Sequence, residues 1–478
     1  MNKIKTKFKA LLLAFLLALA PIYLTGCGTE EAVVPEPEFD TPSEELDDEP
    51  DDERGRFYGQ TLTVTSVFNF HNIREFARAY MEANPGVSIE VNHFQTEPGV
   101  AGMTEAFERA QAVVATQLMA GTADTLITSL TVDLYNPEVT QRFADWWPII
   151  NADPNFNPDH FNINALNAFT QDGRLYTYPL YVSYILKSVN NTIPGLPQAF
   201  AVLDFVTAQD LHNLHNQFSG EHMTVHQNHD VVNAVVLNLN EFLDLENGVV
   251  NFNNPRFVDF IEEARDATRL VAGGRPLGAS TGANAFTDIQ EYENSLLYSF
   301  MSHTQSVRQY IMTFEQDLLF GQARPLTNER GEILAIHGTD FALNAAASPI
   351  EQELAWDFLR FMQNPANLQG AWMTGVPVYL PGMRARLNGD VVEWRNTFST
   401  QFGWNTVGTA DDAVEEVYAF LNMLVAMPHT DSHGIPAAVY DILFEVLEQF
   451  HDGLISAQSA AELLQNRMSI VMMEIGAL

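Results

Sequence analysis

Cysteine occurs once in these 478 residues, at Cys27. A single thiol forms no intrachain disulfide and cannot supply a Cys-rich zinc cluster, so neither staple holds this chain together. Lysine is almost as scarce. Beyond Lys3, Lys5, Lys7 and Lys9 only Lys187 remains, and arginine carries the rest of the positive charge. The formal net charge is −37, which disfavours nucleic acid, anionic lipid and phosphorylated ligands as main partners. Also missing are "HExxH", "GxxxxGK" and "GxGxxG", and with them a zinc-protease helix and both phosphate-cradling loops. No internal repeat of about 20 to 50 residues is present, which excludes solenoids and propellers.

What is there begins with a basic amino terminus and an apolar stretch, Ala10 to Leu24, broken by Pro21. That stretch is shorter than the roughly 20 residues a helix needs to span a bilayer, so it reads as a signal-peptide core over residues 1–26. Leu24-Thr25-Gly26-Cys27 resembles the bacterial lipobox. The resemblance implies that Cys27 becomes a diacylglycerol-linked amino terminus, which fixes the protein to the outer face of the cell membrane. Cys27 and the acidic, proline-rich run up to residue 56 then form a tether, because such a segment buries too little apolar surface to offset its ordering entropy.

Roughly 420 residues follow, more than one hydrophobic core usually covers, so two lobes are expected. Leu62 to Phe68 alternates as a strand. Ile73, Phe76, Ala77, Tyr80 and Met81 share one helical face that stops at Asn84-Pro85-Gly86, and Val87, Ile89 and Val91 alternate as a second strand. Strand, helix, strand at this spacing is a parallel βαβ unit. Thr104 is a candidate N-cap for a helix running to Gly121, and "DTLITSL" follows as a buried strand. A helix is expected from Asn162 to Asp172, then an Asp172-Gly173 turn and a strand that Pro179 interrupts. Further helix starts are expected at Asn254-Pro255 and Ser348-Pro349, and the chain from Asp411 reads as predominantly helical.

In this order the segments resemble family 1 extracellular solute-binding lipoproteins of ABC importers, the maltose-binding-protein-like sugar-binding group. "IREFARAYMEANPGVSIEV", "QLMAGTADTLITS", "GRLYTYPLYVSYILKSVNNTI" and "NAAASPIEQELAWDFLRFMQNPANLQ…TGVPVYL" carry the likeness over about residues 60 to 478. It implies an α/β, two-lobed periplasmic-binding-protein-like fold of type II, with an interlobe cleft and a helical C-terminal region. One lobe would comprise 57–180 and 326–376, the other 181–325 and 377–478. The cleft would bind a small solute, a carbohydrate first of all, and hinge closure would present it to the importer's membrane subunits without chemistry. A monomer with no cofactor is implied. The alternative is a sensory or scaffold lipoprotein of the same fold that presents its ligand state to a partner.

Matching cleft positions puts Phe68, Asn69 and Phe70 after the first strand, and Thr128, Ser129, Thr131 and Asp133 after "DTLI". Tyr181, Ser183 and Tyr184 lie on the crossing strand, His303 and Thr304 follow "LLYSF", and Trp404 comes from the late region. Sugar-binding members usually place aromatics where Thr128 and Ser302 to Thr304 stand, a departure that argues against a large stacked oligosaccharide. Three other clusters read as incidental. "NADPNFNPDHFN" lacks the glycine and bidentate glutamate of a calcium loop. Of His212, His215, His222, His226 and His229, His222 and His226 would share a helical face, but the Gly220 and Asn228 neighbourhood reads as a loop and no "HExxH" or cysteine accompanies them. "TDSHG" sets triad residue types side by side in sequence, which triads are not.

Overall fold

The computed structural model describes residues 55–66, 73–94, 103–128, 131–132, 137–190, 193–218, 230–244, 247–267, 297–301, 320–337, 340–367, 375–384, 387, 410–431 and 437–474. Cys27, the signal segment and most of the acidic run lie outside them. Among the described residues no helix is long and apolar enough to cross a membrane.

The chain opens with β1 (Thr61–Ser66), α1 (Ile73–Ala83), β2 (Ser88–His93), α2 (Met103–Ala120) and β3 (Leu126–Thr128). Short helices α3 (Pro137–Thr140), α4 (Trp146–Ala152) and α5 (Ile163–Ala168) lead to β4 (Thr177–Pro179), β5 (Tyr181–Ser183) and β6 (Ile185–Asn190). Next come α6 (Leu196–Ala201), α7 (Ala208–Phe218), α8 (Asp230–Leu237), β7 (Leu243–Asp244), β8 (Val249–Val250) and α9 (Pro255–Ala267). After these, β9 (Leu297–Met301), β10 (Phe320–Pro325), β11 (Ile333–His337) and β12 (Asp340–Leu343) precede α10 (Pro349–Gln363) and β13 (Val376–Pro377). The end is α11 (Ala410–Ala426), β14 (His429–Asp431), α12 (Ala437–His451) and α13 (Ala457–Glu474).

The first sheet has the order β2-β1-β3-β12-β4, with β1 parallel to both β2 and β3, and β12 antiparallel to its neighbours. Alternation divides its side chains. Leu62, Val64, Leu126, Phe341 and Leu343 enter a large first core with Phe76 and Tyr80 of α1 and Leu354 and Phe358 of α10. Ile127 and Ala342 face a smaller cluster with Val114 and Leu118 of α2. The expected face of α1 is the buried one at Ile73, Phe76, Ala77 and Tyr80, with Met81 half-buried.

Two of the caps read from sequence stand where they were expected. Ser348 and Glu351 form a reciprocal capping box before α10, with Pro349 in its first turn. Asn254 Oδ1 accepts from Arg256 N at the start of α9. Asp172 and Gly173 take positive φ, and Gln171 and Arg174 exchange backbone bonds across that turn. Two boundaries differ. α2 begins at Met103, one residue before the expected cap, and the helix expected to reach Asp172 closes at Ala168.

The connections between cores are made by consecutive strands. On the way out, β4 belongs to the first sheet, β5 to a four-stranded sheet (β13-β5-β11-β14) and β6 to a three-stranded one (β10-β6-β9). On the way back, β10, β11 and β12 pass through the same three sheets in reverse, each antiparallel to its outgoing counterpart. These crossings serve two cores at once. Leu186, Ile333 and Ala335 pack in the first core, while Ile185, Val189 and Leu334 pack in a second. The second core is completed by α7, α8, α9, α12 and α13 through residues such as Leu211, Val235, Phe257, Leu447 and Leu464. Each fully buried residue of this size contributes about 1.5–3 kcal/mol of hydrophobic stabilisation. The tail is predominantly helical, as expected, with the three-residue β14 inserted and paired in parallel with β11.

Candidate functional site

Because β1, β2 and β3 are parallel, their carboxyl ends share one edge of the first sheet, where open α/β sheets place ligands. Ser66 lies opposite His93 in the register, and Thr128 follows Ile127, the partner of Thr65. Alternation from Leu62 and Val64, Ile89 and Val91, and Leu126 puts Ser66, His93 and Thr128 on the same face of the sheet. Thr131 is fully buried, and its hydroxyl donates to the Thr128 carbonyl at 2.6 Å. Thr128 is only 5 % exposed. Its Oγ1 and the Nε2 of His93 are shielded from solvent and have no hydrogen-bond partner among the described residues. Burial lowers the His93 pKa; Arg74 lowers it further and Glu75 opposes, so the imidazole is neutral at pH 7.

The opposite face is tied down. Asp124 accepts from the Thr65 hydroxyl and, at 2.9 Å, from Asn92 Nδ2, while Thr125 N donates to Thr63 Oγ1 at 3.0 Å. These bonds fix the ends of β1 and β2 to the turn entering β3.

Beside this edge run the crossings. Tyr181 and Tyr184 are fully buried and Ser183 nearly so. The Tyr184 hydroxyl accepts from Asn162 Nδ2 at 2.8 Å and faces His429 Nε2 at 2.8 Å. His429 Nδ1 lies 2.7 Å from the Met427 carbonyl, which only accepts, so the proton sits on Nδ1 and Nε2 accepts from Tyr184. Burial draws the His429 pKa down to about 4, opposed by that carbonyl. Burial pushes the Tyr184 pKa up. Asn162 also caps α5, accepting from Ala165 N, and Asn164 Nδ2 holds the carbonyls of Val425 and Met427 at 3.0 Å each. One polar network therefore joins α5, the β5–β6 joint and β14.

Gly375 presses on the same joint. At φ +130° a Cβ there would lie 2.8 Å from the Val182 carbonyl oxygen and 3.2 Å from Ser183 Oγ.

Of the residues expected from sequence, Thr128 and Thr131 meet at the sheet edge, and Tyr181, Ser183 and Tyr184 sit together on the crossing. Phe68, Asn69, Phe70, Ser129, Asp133, His303, Thr304 and Trp404 lie outside the described residues. Sequence reasoning passed over His93, Asn162 as a structural cap and His429. His93 continues the alternation of Ile89 and Val91 by one more step, and that polar residue ending an apolar series was the available signal. The Asp153 carboxylate of "NADPNFNPDHFN" accepts from Trp356 Nε1 at 2.9 Å and pairs with Arg360. His212 lies on α7, where Asn216 Nδ2 meets its Nε2 at 2.8 Å. Among the described residues no three His, Cys, Asp or Glu side chains gather as a metal site would require.

No family model matches this chain, and no curated protein matches it by sequence. Solved structures do. The sugar-binding protein MalE from Xanthomonas citri superimposes with a TM-score of 0.58 at 14% identity, over 87% of this chain and 98% of that one. An extracellular solute-binding protein family 1 member from Alicyclobacillus acidocaldarius gives 0.56 at 11% identity, over 87% and 99%. An ABC substrate-binding protein from Listeria monocytogenes in complex with cycloalternan gives 0.54 at 15%, over 86% and 99%. The chain thus has the mixed α/β fold of periplasmic binding proteins and is structurally similar to family 1 solute-binding proteins at low sequence identity.

Proposed function

We propose that this chain is an extracytoplasmic receptor that captures a small carbohydrate and delivers it to an ABC importer, by binding alone. The observation that carries this reading is fold similarity over 86–87% of the chain to proteins whose names give them as sugar- or substrate-binding proteins. The paired crossings between two cores supply its mechanism. Residues 57–180 with 326–376 form one lobe and residues 181–325 with 377–478 the other. Ligand enters between them, touches the sheet edge at Thr128 and Thr131 and the crossing at Tyr181, Ser183 and Tyr184, and holds the lobes shut. The segments bearing Phe68, Asn69, Phe70, Ser129, Asp133, His303, Thr304 and Trp404 complete the cleft. Acylation of Cys27 tethers the receptor, with the acidic run as spacer.

Detergent-purified full chain, titrated against neutral sugars, peptides, polyamines and metal ions, gains thermal stability with one sugar by mass action. A flat response across the whole panel would overturn the proposal. A second reading, a sensor that kept the fold, draws on Thr128 standing where sugar-binding members place an aromatic. Co-purification from native membranes separates the two: importer subunits support delivery, a lone receptor partner supports sensing.

A further inference from the structure

Two polar atoms at the sheet edge, Thr128 Oγ1 and His93 Nε2, are shielded from solvent and without partners among the described residues. Buried side-chain polar atoms are nearly always paired, so each such exception asks what supplies the missing bond. The two sit on the same face at the carboxyl ends of β3 and β2, with β1 between them. That is two inter-strand steps, about 10 Å, a span that one small solute can bridge.

The chemistry of the pair restricts that solute. A threonine hydroxyl both donates and accepts. A neutral imidazole also offers one donor and one acceptor, and burial together with Arg74 keeps this one neutral. Neither group carries charge. The charged groups that act on His93 are Arg74 and Glu75, one of each sign, both in the first turn of α1. Such a site favours groups that donate and accept at once, which hydroxyls do and ammonium or carboxylate groups do not.

We infer that His93 is a specificity-determining contact which, with Thr128, anchors the hydroxyls of a neutral polyhydroxyl solute to the first sheet. The inference rests on the receptor reading above and adds to it a contact residue, His93. A solute lacking the matching hydroxyl leaves a buried group unpaired, which is the strongest form of discrimination a binding site has.

The test titrates detergent-purified full chain by calorimetry with maltose, maltotriose and cycloalternan as neutral probes, and with galacturonate, glucosamine and spermidine as charged ones. A neutral sugar is expected to bind. His93→Phe and Thr128→Val, which keep the volume and remove the polar atoms, each weaken it at least tenfold, and His93→Gln restores part of the loss. With 15N-labelled histidine, the His93 ring resonances shift on adding that sugar. Should His93→Phe fold poorly, Thr128→Val and the His93 resonances decide. Unchanged affinity in Thr128→Val and His93→Gln with static His93 signals means that water fills the gap, and the inference falls while the receptor reading stands. Binding of galacturonate or glucosamine alone also overturns the inference and spares that reading, whereas binding of spermidine alone overturns both. If the wild type binds none of the six, the inference falls, and the broader panel above decides the receptor reading.

Discussion

The imidazole of His429 donates to the Met427 carbonyl and accepts from the Tyr184 hydroxyl, an arrangement that only the neutral ring can make. Its folded pKa of about 4 lies below the ordinary value of 6.5. The unfolded chain therefore binds more protons between those values, and stability rises with pH there. The contribution is complete above about pH 6.5 and is lost as pH falls toward 4, amounting to about 3.5 kcal/mol at most on about 1.4 kcal/mol per unit. Urea unfolding at pH 7 and 4.5 measures it. In His429→Gln the difference between the two pH values should shrink, and an unchanged difference would assign it to other groups. Tyr184→Phe leaves Asn162 Nδ2 and His429 Nε2 without their shared oxygen, so a loss of about 1–3 kcal/mol is expected at pH 7. A loss below about 0.5 kcal/mol would mean that water replaces the hydroxyl.

At the scale of elements, what was legible in sequence was what neighbours in sequence decide. α1 announced itself by the period of Ile73, Phe76, Ala77 and Tyr80, and α10 by Ser348, Pro349 and Glu351, since a cap is made of residues three apart. The strands from Thr177 to Asn190 were less legible. Leu175 to Leu180 read as a strand that Pro179 interrupts, and pairing divides the run at Leu180 and Tyr184 among three sheets. No local pattern encodes that division, because each segment's partner lies more than a hundred residues away on β10, β11 or β12. The tail shows the same limit. β14 is three residues long and exists through β11. The turn at Gly375 belongs to this scale too. Gly375→Ala sets a Cβ against the Val182 carbonyl at a φ that L side chains rarely adopt. A loss of roughly 1–3 kcal/mol in denaturant midpoint analysis is expected. A neutral result would mean that β13 shifts away from β5 freely.

At the scale of the molecule, two large cores share the walls made by β6 and β11, which turn alternate residues to each. Bending there changes the angle between the cores without opening either, since packed interiors move as units. Small-angle scattering on the full chain should show the radius of gyration falling when a binding sugar is added. In Gly375→Ala, where the β5–β13 contact is forced apart, the change is expected to be smaller. An identical radius with and without sugar would rule out closure as the response to ligand.

The sequence by itself determined the periods, caps and turns, the acidic surface that steers away from polyanions, and the order of segments that resembles solute-binding proteins. Those properties are set by residues a few positions apart or by composition, and need no partner to be read. Only the tertiary structure decided that the outgoing and returning chain run antiparallel through the same three sheets. It also brought Asn162, Tyr184 and His429 into one network and left His93 Nε2 and Thr128 Oγ1 shielded and without partners among the described residues at a common edge. Burial and register are relations between residues far apart in sequence, and the chain acquires them only when it packs.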